Sequence, residues 1–191
     1  MGQSAVSSPA HDGGSGMVQG IRRVVILGCS GTGKSTLAEQ LGRRLGLPVV
    51  HLDVLYWRPG WQEPDTAGFR QRTAAAIAGD AWISEGNYRE TFDIRLPRAD
   101  TVIILEAPRW LRLMRVMRRV IISTRGPDLP EGCPEHWDWK HLMVIWRFDR
   151  VTWPRIEAAR LAYGPNVPVI RLRSRREVTT FLASLRQDAS L

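Results

Sequence analysis

Short apolar runs alternate along the chain with stretches that repeat apolar residues at helical spacing. Residues 24–27 (VVIL) make a β-branched run of the length of a buried strand, and 37–45 (LAEQLGRRL) repeat leucine as a helix does. Residues 47–53 (LPVVHLD) form a second apolar run, which predicts a strand with Asp53 at its carboxyl end. The stretch DVLYWRPGWQEPDT holds two prolines and reads as a loop, and AGFRQRTAAAIAGD as a helix closed by Gly79. A third strand is predicted over 81–88 (AWISEGNY), running into a glycine turn, with irregular chain over 89–100. TVIILEAP (101–108) predicts the fourth strand and 109–123 an amphipathic helix. Residues 125–140 are broken by prolines and glycines, with a further helix near 141–148. NVPVIRLRS (166–174) predicts the fifth strand and REVTTFLASLRQ (176–187) a closing helix. Five such strands alternating with helices predict an α/β fold with a five-stranded parallel sheet covered on both faces. In such a sheet, ligands bind at the carboxyl ends of the strands.

The joint between the first strand and first helix is GCSGTGKST, residues 28–36. Glycines there free backbone amides to face a ligand, and a helix N-terminus has unpaired N–H groups and a dipole that favour an anion. Gly28, Gly33, Lys34 and Ser35 fit G-x-x-x-x-G-K-[ST] at every fixed position. This predicts a phosphate loop spanning Gly28, Ser30, Gly31, Thr32, Gly33, Lys34, Ser35 and Thr36. Lys34 would reach the β- and γ-phosphates of ATP, Ser35 would ligate Mg²⁺, and Thr36 would add a hydroxyl toward the α-phosphate. The alternative is a glycine-rich turn that caps a helix and exposes a lysine.

Composition narrows the setting. The 191 residues are 43% hydrophobic and 24% charged, which suits one domain over 21–191; residues 1–20, rich in Gly and Ser, read as a disordered tail. No apolar run reaches the roughly 18–20 residues of a membrane span, and the first residues lack a cationic start and apolar core for secretion. The expected location is the cytoplasm. Cys29 and Cys133 make neither a disulfide framework nor a two-cysteine metal motif. The net charge of +8 raises nucleic-acid binding, and all but Lys34 and Lys140 of the 27 basic residues are arginine. Arginine forks suit the phosphates of a small ligand as well as a nucleic-acid backbone.

GCSGTGKSTLA, the acid in VVHLDVLYW, and WISEGNY followed by RLPRADTVIIL together resemble the adenylate-kinase-like family of small P-loop kinases. With PRWLRLMRVMRR and RGPDLPEGCPEHWDW they are most similar to the branch labelled DNA topology modulation protein, or FlaR-like, over about 21–174. The resemblance implies a three-layer P-loop NTPase fold with strand order 2-3-1-4-5, ATP·Mg²⁺ on the loop, and a mobile basic helical lid over about 110–155. It implies that Glu85 holds the hydration shell of Mg²⁺ with Ser35, and that Arg173 and Ser174 lie beside the adenine. The branch label adds a DNA role that these motifs do not carry themselves.

Asp53 reads either as a solvated strand-end acid or helix cap, or as the general base for an acceptor hydroxyl. Adenylate kinases proper lack an acid there, so Asp53 favours a hydroxyl acceptor over a nucleoside monophosphate. Glu85 has a salt-bridged alternative. Asn87, Tyr88 and Arg89 are expected to face the acceptor. In the helix after Pro108, Arg112, Arg115, Arg118 and Arg119 share one side. That side is either a solvated basic face or a set of cations brought onto the transferring phosphoryl group, for which Arg115 and Arg119 are the candidates. Trp57, Trp61, Trp137, Trp139, Trp146 and Trp153 are placed in loops or lid, where they stack a ring or staple a mobile segment. His51 reads as a packed strand histidine. The expected activity is ATP-dependent phosphoryl transfer to a small acceptor, a nucleoside-like or related metabolite. A nucleoside monophosphate kinase and an ATP-binding DNA topology regulator rank behind it, the latter because no nucleic-acid-binding signature is visible.

Overall fold

The strands alternate their side chains between two apolar layers, so the sheet must be covered on both sides. Val24 and Ile26 pack into a core with Leu37 and Leu41 from one helix and Phe181 and Leu182 from the last. Val25 and Leu27 point the other way, into a core with Phe92, Leu96, Val116, Ile145 and Ile156. This computed structural model describes residues 20–122, 129–133 and 139–187. The expected tail, Gly20 excepted, lies outside the described residues, as do 123–128 and 134–138 of the expected lid, Trp137 among them.

Strands β1 (Arg23–Gly28), β2 (Val49–His51), β3 (Trp82–Glu85), β4 (Thr101–Leu105) and β5 (Val169–Leu172) form a parallel sheet in the order β2-β3-β1-β4-β5. Helices α1 (Lys34–Leu45) and α7 (Arg175–Gln187) cover one face. The other carries α3 (Thr66–Ala76), the short α4 (Phe92–Arg95), α5 (Arg109–Ile122) and α6 (Trp139–Tyr163). Register aligns the carboxyl ends: Glu85 pairs with both Ile26 and His51, and Gly28 pairs with Leu105. No helix among the described residues is long and apolar enough to cross a membrane.

Four sequence expectations are corrected. The second strand stops at His51, and Asp53 sits in the first turn of a short helix, α2 (Leu52–Tyr56), within the segment expected to be a loop. The apolar run LPVVHLD conceals this break because Leu52, the first residue of α2, is itself buried, so the apolar pattern does not stop where the strand does. Residues 89–100 are not irregular: Arg89–Thr91 and Leu96–Arg98 are 3₁₀ turns flanking α4. The helix near 141–148 runs for 25 residues, so Trp139, Trp146 and Trp153 are helical. Pro154 denies the Arg150 carbonyl its helical donor, yet the helix continues, held by buried Phe148 and Ile156 on either side. Finally, Asp65 caps α3 by accepting from the Gly68 N–H at 2.6 Å, and that helix ends at Ala76 rather than Gly79.

Helix α5 turns Arg112 inward, while Arg115 and Arg118 stay exposed. Arg112 and Val116 are buried, whereas Trp110, Met114, Met117, Ile121 and Ile122 are exposed. The cause is Asp149 on α6, which takes both arms of the Arg112 fork at 2.9 and 2.6 Å and also accepts from Arg109 Nε at 3.0 Å. Burial alone would push the Asp149 carboxyl up; the hydrogen bonds from Arg112 and Arg109 outweigh it and hold it below the usual carboxylate range.

Asp149→Ala leaves a buried guanidinium unpaired and is expected to cost about 1–3 kcal/mol in chemical denaturation at pH 7. Because the folded carboxyl is lowered, the pair contributes at neutral pH and is lost as pH falls below the ordinary carboxylate value. The gap between wild type and Asp149→Ala should therefore shrink in acid; a gap independent of pH would contradict the assignment.

Candidate functional site

The phosphate loop is held by its carbonyls. Cys29 O accepts from the Thr32 N–H at 3.3 Å, the Thr32 hydroxyl at 2.8 Å and Lys34 Nζ at 3.3 Å. Arg115 donates to Gly31 O at 3.1 Å and Thr32 O at 3.3 Å, and the Leu37 N–H donates to Gly33 O. Gly31 lies so close to α5 that an added Cβ would come within 2.5 Å of the Arg112 carbonyl, and its φ of +79° also favours glycine. Gly33 precedes α1 with no side-chain cap, and the first turn of α1 carries no acid. The amides there have no carbonyl one turn earlier to donate to, which suits an anion.

Asn87, expected to face the acceptor, instead grips the loop. Its amide donates to Gly28 O at 2.7 Å and accepts from the Gly28 N–H at 3.0 Å, a two-bond clasp across 59 residues. Arg89 is exposed on the turn that follows. The turn itself is shaped by a residue that the sequence reading passed over, Arg95. Fully buried, Arg95 donates to Thr91 Oγ1, Ser84 Oγ, Gly86 O and Tyr88 O at 2.9–3.2 Å. Burial pulls its guanidinium down to about 9.

Ser35 and Glu85 meet at the base of the loop, the Ser35 hydroxyl donating to Glu85 Oε1 at 3.2 Å. Glu85 is 2% exposed and also lies 3.0 Å from His51 Nδ1, while His51 Nε2 is 3.1 Å from Glu39. A hydroxyl and a buried carboxylate beside a phosphate-binding helix end are the hard oxygen donors that Mg²⁺ takes while keeping several waters. The residues present fit that ion.

Among the cavities that border the loop, two hold the candidate residues. The first, about 550 Å³, is bounded by Thr32, Gly33, Thr36, Arg115, Arg173 and Ser174. Arg173 is held there by Glu106 at 3.1 Å. The second, about 420 Å³, is bounded by Ser30, Asp53, Trp57, Trp61, Tyr88 and Arg119, with Lys140 and His141 from α6. Tyr88 donates to Asp53 Oδ1 at 2.5 Å, and burial first, then the Asp53 charge, pushes the Tyr88 phenol far up. Trp57, Trp61 and Tyr88 give this cavity an aromatic wall, and behind it Tyr56 packs edge-on against Trp57 and Phe69 with ring centroids 4.9 and 5.0 Å apart. The segment 129–133 closes onto that wall: the Gly60 N–H donates to Gly132 O at 2.9 Å and the Cys133 thiol to Arg58 O at 3.1 Å.

The structure thus brings Lys34, Ser35, Asp53, Glu85, Tyr88, Arg115 and Arg119 around one loop, with Arg173 at its far edge. The chain superposes on shikimate kinase from Acinetobacter baumannii with a TM-score of 0.55 over 93% of this chain and 99% of that one, at 15% identity. The chain has the P-loop kinase fold. Adenylate kinase from Mycobacterium leprae (strain Br4923) is 33% identical over 110 residues, 56% of this chain and 59% of that enzyme. The tRNA dimethylallyltransferase of Mus musculus is 50% identical over 50 residues, 26% of this chain and 11% of that protein. No family model matches the chain.

Since Asn87 holds the loop rather than the second cavity, Asn87→Ala is expected to weaken ATP binding by about ten-fold, the worth of roughly 1.4 kcal/mol. Calorimetric titration checks this; unchanged ATP affinity would return Asn87 to the acceptor side.

Proposed function

We propose that the protein is an ATP-dependent phosphotransferase that phosphorylates a hydroxyl of a small metabolite in the cytoplasm. The observation that carries this reading is the Asp53 carboxylate in the cavity beside the phosphate loop, oriented by the Tyr88 hydroxyl at 2.5 Å. A carboxylate so held can take the proton of an acceptor hydroxyl as its oxygen bonds the γ-phosphorus and ADP departs. A phosphate acceptor is already anionic and needs no such base, which sets a nucleoside monophosphate kinase second.

The loop amides and Lys34 bind the ATP phosphates, and the larger cavity near Arg173 and Ser174 takes the base and ribose. Ser35 and Glu85 would hold Mg²⁺, which neutralises charge on the β- and γ-phosphates. Arg119 faces the acceptor cavity and Arg115 the nucleotide side, so the two bracket the place where charge is transferred. Trp57, Trp61 and Tyr88 line the acceptor cavity, in keeping with a nucleoside-like or other cyclic compound. The combination accords with the FlaR-like branch of the adenylate-kinase-like family as an enzyme. A DNA-binding regulator is less well supported, because Arg112 is spent on Asp149 and Arg115 on the loop rather than on an open basic surface. Further closure of α5 and α6 over bound nucleotide would exclude water from the transfer.

The test is Asp53→Asn with an acceptor screen by coupled ADP release, spanning nucleosides, monophosphates and sugars. ATP affinity should stay within about two-fold while transfer to the best hydroxyl acceptor falls about 10³-fold or more. Full-rate transfer by Asp53→Asn, or activity confined to monophosphates, would overturn this reading.

A further inference from the structure

Helix α5 buries Arg112 and leaves an apolar seam on the outside of the molecule. Trp110, Met114, Met117 and Ile121 follow one another at intervals of four, three and four, the a/d spacing of a helix that packs lengthwise on another. Trp110 is 65% exposed and Ile121 75%, so this seam has no cover among the described residues. With Ile122 and Trp146 of α6, these side chains border an open groove of about 560 Å³. Contiguous apolar surface of this extent on a soluble domain marks a contact site.

We infer that the seam pairs with the same seam of a second copy of this chain, α5 against α5, antiparallel about a two-fold axis between Met114 and Met117. The side chains are self-complementary in that register. Trp110 meets Ile121 of the other copy, an indole against an aliphatic side chain, and Met114 meets Met117, two flexible thioethers. Arg118, the charge nearest the seam, falls beside Leu113 of the other copy rather than beside its own mate, so its stem covers apolar surface without like-charge repulsion. Arg112 and Arg115 point into their own subunit and place no charge in the contact. A standard interface covers about 800 Å² per partner, and Trp110 and Trp146, still 65% and 51% exposed, with four aliphatic or thioether side chains supply apolar area toward it. Because α5 also presses on Gly31 and holds the loop through Arg115, pairing would brace the phosphate loop of each subunit.

The experiment is sedimentation velocity of the full chain over about 1–100 µM, wild type against Met114→Glu/Ile121→Glu, with circular dichroism as the check on folding. The wild type should approach twice 21.6 kDa with rising concentration and the variant should remain at 21.6 kDa. A second arm needs no disruptive substitution: Trp110→Cys mixed with Ile121→Cys should yield a covalent heterodimer under mild oxidation, whereas Trp110→Cys alone should not. Three results would overturn the inference: a wild type monomeric throughout, open-ended association, or Trp110→Cys alone cross-linking as readily as the mixture.

Discussion

A phosphate loop works only if its amides stay turned toward an empty centre, and amides do so only when the carbonyls on the other side are held. The structure meets this constraint from three directions: Asn87 at Gly28, Thr32 and Lys34 at Cys29, and Arg115 at Gly31 and Thr32. Thr32 and Lys34 act from within the loop and the start of α1, but Asn87 and Arg115 reach it from the turn after β3 and from α5, so the loop depends on the sheet end around it. The Gly86–Tyr88 turn is fixed by buried Arg95, and α5 is fixed by Arg112 on Asp149. The same turn delivers Tyr88 to Asp53, which ties the shape of the loop to the position of the candidate base.

Much of this was legible from the chain. The alternation of apolar runs and helical repeats yields the five strands, and loop spacing locates the phosphate site because glycine placement is a local, strongly constrained signal. Strand order was carried by resemblance rather than periodicity, and the sheet bears it out. Asp53 and Glu85 both lie at the sheet end, although Asp53 reaches it from a helix turn, not a strand.

What stayed hidden depended on distance. Asn87 and Gly28 lie 59 residues apart and Arg112 and Asp149 lie 37 apart, and neither partnership leaves a periodic trace. Arg95 looked like one charge among many in a segment read as irregular, yet it is completely buried. The orientation of α5 was equally inaccessible: its pattern separates an arginine side from an apolar side, but only the Asp149 carboxylate decides that Arg112 faces in. Pro154 masked the length of α6, since a proline ordinarily ends a helix and here flanking buried side chains carry the helix past it.

The account stands on the loop as a formed phosphate site. Isothermal titration of ATP with Mg²⁺ into wild type and Lys34→Ala tests it most directly. The wild type should bind one equivalent, and the variant should lose at least about ten-fold in affinity, as expected when a cation is removed from the β- and γ-phosphates. Equal binding by the two proteins would mean that GCSGTGKST is only a turn between a strand and a helix.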